Sequence, residues 1–327
     1  MNKKIITALI ALGSSWFSAQ ALADPTYNLG LIKQFNYQGF NTVITGINDS
    51  GQAIGYYTYQ GTSGAIYRSM LISGFDRNDT SKNFTYKGLQ FSPYGSLILG
   101  ISSNGLIAGV GYFQSALSAG TLIAGGLYGK IGTAYKTLPF SFDVSSTATG
   151  INAKGVVTCV VGNGGSYSYI IQPGGKMTRV AVPGADPNFT QVNGINDAGD
   201  VVGIFYPDSK NTNLSKGFIR HANGTYAVIF PTFGKLKTVS AEINGINRQG
   251  DVVGDVTVLV SSGVSQFPRK YPFLRTADGK IQYFDYTITL NGLDSADDLV
   301  GSVGTNLGPY ATDAIIIIPD PVSKVHK

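Results

Sequence analysis

Six copies of a ten-residue pattern, G-[ILV]-x-x-x-[GD]-x-x-x-G or a close variant, recur along this chain, and their periodicity restricts the fold more than any other feature. They read GINDSGQAIG from Gly46, GISSNGLIAG from Gly100, GINAKGVVTC from Gly150, GINDAGDVVG from Gly194, GINRQGDVVG from Gly245 and GLDSADDLVG from Gly292. Successive copies are 54, 50, 44, 51 and 47 residues apart, the length of one four-stranded propeller blade.

The fifth copy and its approach show how a repeat fills with strands. GFIRH (217–221) and TYAVIF (225–230) flank an Ala222-Asn223-Gly224 turn, VSAEINGIN follows, and Arg248-Gln249-Gly250 turns the chain into DVVGDVTVLV. Within the motif, Asn or Asp ahead of the turn accepts backbone N–H bonds and the following glycine suits the left-handed position of a bulged hairpin, so Asn196-Asp197-Ala198-Gly199 needs no ligand to explain it. Val201 and Val202 point to opposite faces, as in a blade packed on both sides, and Gly203 marks a close backbone approach.

The ends complement each other. LGLIKQF near the N-terminus matches the second strand of a repeat, and DAIIIIP (313–319) matches only the first. Together they complete one blade and remove the sheet edges of an open array, which predicts an all-β, six-bladed β-propeller of about 24 strands, closed by strands from both termini.

Three copies depart from the pattern. Ser102-Ser103 replaces Asn-Asp, Cys159 replaces the last glycine, and Asp297 stands at the turn glycine, where Asp still tolerates the left-handed region. The stretch from Ser115 to Gly132, rich in glycine and alanine, reads as an insertion outside the pattern.

MNKK, an apolar stretch and Ala21-Leu22-Ala23 form an export signal over 1–23, with Asp24 as the mature start, a propeller domain over 24–319 and a tail over 320–327. No cysteine follows the cleavage site, and no later apolar run is long enough for a transmembrane helix. Removing 23 of the 327 residues leaves 304, with 22 basic and 19 acidic side chains scattered rather than clustered, which excludes a nucleic-acid footprint. A secreted or extracellular location follows, with periplasm or cell surface open. Oligomeric state is not legible.

The GIND-x-G-D-V-V-G core, followed by a strand, a short turn and a second strand, resembles the bacterial HAF-family extracellular repeat over nearly all of the mature chain. The resemblance implies a secreted or cell-surface β-propeller and brings no activity or catalytic residue with it.

Metal, cofactor and hydrolytic sites are short of parts. Asp49, Asp197, Asp200, Asp251, Asp294, Asp297 and Asp298 sit in or beside the turns, but no turn has the dense oxygen spacing of a calcium loop, Asp294 to Asp298 coming nearest. No cofactor motif is present. The only histidines are His221, in a predicted strand, and His326; the only cysteine is Cys159, whose VVTCVVG setting reads as a buried inert thiol. Glu242 is the only glutamate and would need an aspartate across the ring to form a catalytic pair.

Aromatic pairs after the motif glycines point instead to recognition. Tyr56 and Tyr57, Tyr112 and Phe113, and Phe205 and Tyr206 offer flat rings that stack on sugars or anchor protein contacts, or that pack blades together. The sequence therefore favours a binding protein with a glycan or protein ligand at a propeller face. A propeller enzyme acting on polysaccharide and a self-assembling envelope protein built on the Ser115 to Gly132 insertion are the alternatives.

Overall fold

The computed structural model describes residues 32–35, 37, 40–61, 64–74, 85–115, 120–140, 144–162, 167–208, 214–262, 265–284, 287–304 and 312–318. The segments read from the sequence as an export signal (1–23) and a tail (320–327) lie outside the described residues. After β1 (Ile32–Phe35), blade 1 holds β2 (Asn41–Ile47), β3 (Ala53–Gly61), β4 (Gly64–Ser73) and β5 (Thr85–Leu89), and blade 2 holds β6 (Ser96–Ile101), β7 (Leu106–Gln114), β8 (Leu122–Lys130) and β9 (Lys136–Thr137). Blade 3 is β10 (Ser146–Ile151), β11 (Val157–Val161), β12 (Tyr167–Ile171) and β13 (Met177–Val180), and blade 4 is β14 (Thr190–Ile195), β15 (Val201–Phe205), β16 (Lys216–Arg220) and β17 (Tyr226–Ile229). Blade 5 is β18 (Lys237–Ile246), β19 (Val252–Ser262), β20 (Ser265–Arg275) and β21 (Ile281–Tyr283), and blade 6 contains β22 (Ile288–Leu293), β23 (Leu299–Gly304) and β24 (Thr312–Ile317). No helix occurs among the described residues.

These 24 strands form six four-stranded antiparallel sheets, a six-bladed β-propeller. Blade 6 has the order β1-β24-β23-β22, so the N-terminal strand supplies its outer edge; Phe35 pairs with Ala314 and Gln34 Nε2 donates to Asp313 Oδ2 at 2.9 Å. The first strand of each blade contacts its counterparts on both sides, β2 meeting β22, which closes the ring.

The repeat seen in the sequence is offset from the blade. The motif forms the first hairpin of each blade, whereas the two strands ahead of it belong to the preceding one: GFIRH and TYAVIF carry β16 and β17 of blade 4, not part of blade 5. The stretch from Ser115 to Gly132 is not an insertion either. Leu122–Lys130 is β8, paired along its length with β7, with Gly125 directly opposite Gly111 and Gly126 opposite Val110.

Each interface between blades is an apolar core. Val253 and Leu274 of blade 5 meet Leu290 and Leu299 of blade 6, and Val300 and Ile316 of blade 6 meet Ile44, Met70 and Ile72 of blade 1. Second strands are buried on both faces, as in β15, where all five residues are buried. At about 1.5–3 kcal/mol per buried aliphatic side chain, these interfaces supply the main driving force for closure.

Backbone proximity fixes the second motif glycine wherever it occurs, and the first one in blades 2 and 5. A Cβ on Gly203 would lie 1.9 Å from the Gln191 carbonyl oxygen, because a bulge before the first motif glycine pushes the inner strand against the second. A Cβ on Gly100 would lie 2.8 Å from the Cα of Gly150 in the next blade. Blade 3 solves the first constraint differently: Cys159 stands opposite Ala148, whereas the other blades set glycine opposite Ile44, Ile98, Val192, Ile243 or Leu290. Asp297 adopts φ 64°, so the sixth turn keeps the shape that glycine gives the others.

Candidate functional site

The two mouths of the ring differ in how their polar groups are used. At the turn mouth, each motif asparagine folds back on its own hairpin and reaches the next blade. Asn196 Oδ1 accepts the N–H groups of Gly199 (3.0 Å) and Asp200 (2.9 Å), while its Nδ2 donates to the Asn247 carbonyl at 3.0 Å. Asn48 reaches Ser102, Asn152 reaches Asn196 and Asn247 reaches Asp294 in the same way.

Ser102 and Asp294 cannot make that donation, and neighbours replace it. Asn104 Nδ2 donates to the Ala153 carbonyl at 2.9 Å, and the Ser295 N–H donates to Asp49 Oδ1 at 2.9 Å. Asp197 accepts from the Ala153 N–H and from Ser103. A second rung lies deeper, where the bulge residues Thr45, Asn193, Asn244 and Asn291 donate to carbonyls of Ile98, Ile243, Leu290 and Ile44. The cavity left at this mouth is about 50 Å³, room for ordered water rather than for a ligand ring.

Asp294 takes the asparagine's place as turn cap, its Oδ1 accepting the N–H groups of Ala296 and Asp298. Among the described residues no group of three or more His, Cys, Asp or Glu side chains is arranged to hold a metal ion. Cys159 is fully buried, and burial pushes its thiol up to about 12. His221 is not within a strand: it opens the β16–β17 turn, where its N–H donates to the Thr225 carbonyl, and its exposed ring lies 3.6 Å from Asp200.

At the strand ends away from the turns, hairpins of unequal length flank the other mouth. Blades 1, 2 and 5 extend to Gly61, Gln114 and Ser262, while β11 and β15 stop at Val161 and Phe205. Blade 5 carries a polar cluster here. Glu242 and Asp255 are direct partners across the β18–β19 ladder, and Lys270 Nζ lies 3.1 Å from Glu242 Oε2. Asp255 is 3% exposed; its Oδ2 accepts from Asn244 Nδ2 at 2.9 Å, whereas its Oδ1 is buried with no hydrogen-bond partner among the described residues.

The charges in this cluster act on one another. Burial raises the Asp255 carboxyl above the usual aspartate value against the opposing pull of Lys270 and the Asn244 bond, and the Glu242 charge raises it further. Burial works to lower Lys270, but the charges of Asp255 and Glu242 outweigh it and leave the ammonium raised. Tyr206 of blade 4 borders the group: burial and then Glu242 raise its phenol, while Lys270 opposes them.

The six aromatic residues singled out in the sequence do not form one surface. Tyr56 and Tyr112 come together with Tyr67, Tyr56 packing edge-on against Tyr67 at 5.8 Å; burial first, and then their mutual proximity, raises the Tyr56 phenol. Tyr57 lies apart, 4.6 Å from the Tyr37 ring and stacked with Phe40 at 5.8 Å. The Phe113 ring fills the space above Gly111 and Gly125. Phe205 is 6% exposed in the core with Val192 and Phe218, so protein surrounds its ring. Tyr206 is half-buried, edge-on to Phe189 at 6.3 Å.

Asp255 and Lys270 were not singled out in the sequence. Aligning the repeats does expose Asp255, since the residue after the second motif glycine is otherwise Tyr56, Val110, Ile204 or Ser302, with Val160 after Cys159. Lys270 carries no such signal, because only the β19–β20 pairing brings it beside Glu242.

No protein-family model and no curated protein matches this chain. Among solved structures, a catalytically inactive virginiamycin B lyase from Staphylococcus aureus with quinupristin is 10% identical, covering 88% of this chain and 99% of that one, with a TM-score of 0.44. A subtype N11 neuraminidase-like protein of A/flat-faced bat/Peru is 13% identical, covering 88% and 93%, with a TM-score of 0.40.

Proposed function

We propose that this chain is an exported β-propeller that binds an extracellular ligand, a glycan or a surface protein, at the mouth opposite the asparagine turns. What supports this reading is the contrast between the mouths. The four motif asparagines at the turn mouth are engaged in joining blades, and the opposite mouth holds a half-exposed ion pair, a buried Asp255 carboxylate oxygen without a hydrogen-bond partner among the described residues, and aromatic rings at its border. The HAF-like repeats and the sequence of the first 23 residues support export. Among the described residues no helix is long and apolar enough to cross a membrane.

Two measurements test it. Protein recovered outside the cytoplasm should begin at Asp24, and Met1 retained on a cytoplasmic product would refute export. Purified mature protein should bind members of a combined glycan and surface-protein panel, with binding reduced by substitutions at Tyr206 and Lys270 and not at Arg248 on the turn mouth; the opposite pattern refutes the assignment of the face.

The Glu242–Asp255 partnership favours one second reading, a polysaccharide-cleaving enzyme with paired carboxylates. Release of new reducing ends from a polysaccharide panel, abolished by Glu242→Gln, would establish it. The segment that the self-assembly reading treats as an insertion contains β8 of blade 2, Leu122–Lys130, paired with β7.

A further inference from the structure

We propose that Tyr206, Glu242, Lys270 and Asp255 form a subsite for one neutral sugar ring. The inference rests on the binding function proposed above and narrows it to one ligand chemistry. Its starting point is Asp255, a carboxylate 3% exposed that uses one oxygen for Asn244 and leaves the other, Oδ1, buried and without a hydrogen-bond partner among the described residues. A buried acceptor without a donor is costly, and the group that completes it must bring an O–H or N–H.

The surrounding charges select among donors. Two carboxylates and one ammonium leave the cluster negative when all are ionised, which opposes a sulfated, sialylated or uronic ligand. A cationic ligand would have to displace Lys270 from the Glu242 oxygen it already holds at 3.1 Å. A hydroxyl donates to a carboxylate and accepts from an ammonium without changing the charge of the site. Adjacent hydroxyls on one sugar ring therefore satisfy Asp255 or Glu242 and Lys270 together.

Tyr206 supplies the apolar component. Its ring is held edge-on to Phe189 and its N–H donates to the Phe189 carbonyl at 3.0 Å, so it is fixed at both backbone and side chain. Its half-buried face meets the C–H face of a pyranose at low entropic cost. The Glu242 side chain is 33% exposed and that of Lys270 50%, marking the solvent side of the cluster. In this proposal the flexible lysine stem must rotate for a hydroxyl to reach Asp255.

The test titrates wild-type protein with maltose, cellobiose and lactose by calorimetry and screens it on an array of neutral, N-acetylated, sialylated and uronic-acid glycans. Neutral glycans should bind, and Asp255→Asn, Glu242→Gln and Tyr206→Ala should each weaken the best of them about 10-fold or more, by loss of a charge-assisted hydrogen bond or of ring contact. All three should melt no lower than a few degrees below wild type, which separates lost contacts from lost fold. Exclusive binding of anionic glycans, or neutral-glycan binding indifferent to all three substitutions, overturns the inference. Loss on Tyr206→Ala with none on Asp255→Asn overturns the role of Asp255, whose spare oxygen then holds only water. A chain that binds no glycan but binds a surface protein through these residues overturns the sugar subsite and leaves the proposed binding face standing.

Discussion

Asn247 Nδ2 donates to the main-chain carbonyl of Asp294 in the next blade at 3.2 Å, while its Oδ1 holds the N–H groups of Gln249 and Asp251 in its own turn. One buried side chain thus shapes a hairpin and joins two blades. Asn247→Ala strands these groups and should lower stability by roughly 2–4 kcal/mol, read from chemical denaturation. Gln249→Ala, which loses one exposed bond to the Ser295 carbonyl, should cost less than about 1 kcal/mol. Equal losses at the two sites would deny Asn247 its double role.

Two adjacent aromatic residues should behave in opposite ways. Phe205→Ala empties part of the blade 3–4 core and should cost about 3–5 kcal/mol, whereas Tyr206→Ala should cost little stability. A melting comparison decides between them. A large loss at Tyr206 would make its ring a packing element and remove it from the ligand site.

Blade 3 exchanges volume between partners, pairing Cys159 with Ala148 where other blades pair glycine with a larger aliphatic residue. Cys159→Gly alone should leave a void and cost about 1–2 kcal/mol, and adding Ala148→Val should recover most of it; a double-mutant cycle reads the coupling. With its thiol raised to about 12 by burial, Cys159 should resist thiol reagents at pH 8 until the protein unfolds.

Asp255 gives stability a pH dependence of defined sign. Its folded carboxyl is raised above the ordinary 3.8, so the fold holds the proton more tightly than the unfolded chain does. The group favours the fold when protonated, and that contribution is lost as pH rises through the raised value. Asp255→Asn lacks the effect, so its melting temperature should gain on wild type as pH is raised from about 4 to about 7. A gain that shrinks over this range would show that the Asp255 charge is stabilised rather than penalised.

Closure should be sensitive to the seam. Deleting 313–327 removes β24, leaves β1 and β23 with open edges, and should cause aggregation or a marked fall in melting temperature, while deleting 323–327 should be silent. Identical melts for both truncations would show that the seam contributes nothing.

The fold was legible because its determinants repeat. Turn asparagines, left-handed glycines and close-approach glycines recur at one spacing, and the strand-like sequences near the two ends identify the seam. The site was much less so. Glu242 was visible as the lone glutamate, but its partner Asp255 follows from hairpin register rather than from a counterpart across the ring, and Lys270 reaches them from a third strand. The aromatic pairs were equally ambiguous: β15 is buried on both faces and ends at Phe205, which enters the core, while Tyr206 lies just past the strand and stays half-buried.

The pairing of β1 with β24 also sets the order of assembly. Gln34 and Asp313 are 279 residues apart in sequence, so β1 has no blade partner until β24 has been made. Hairpins within blades 1 to 5 rest on local contacts, whereas the seam requires the longest loop closure among the described strands and should be the slowest to form. Until it forms, β24 has an open edge, and intermolecular strand exchange at that edge competes with completion of the monomer.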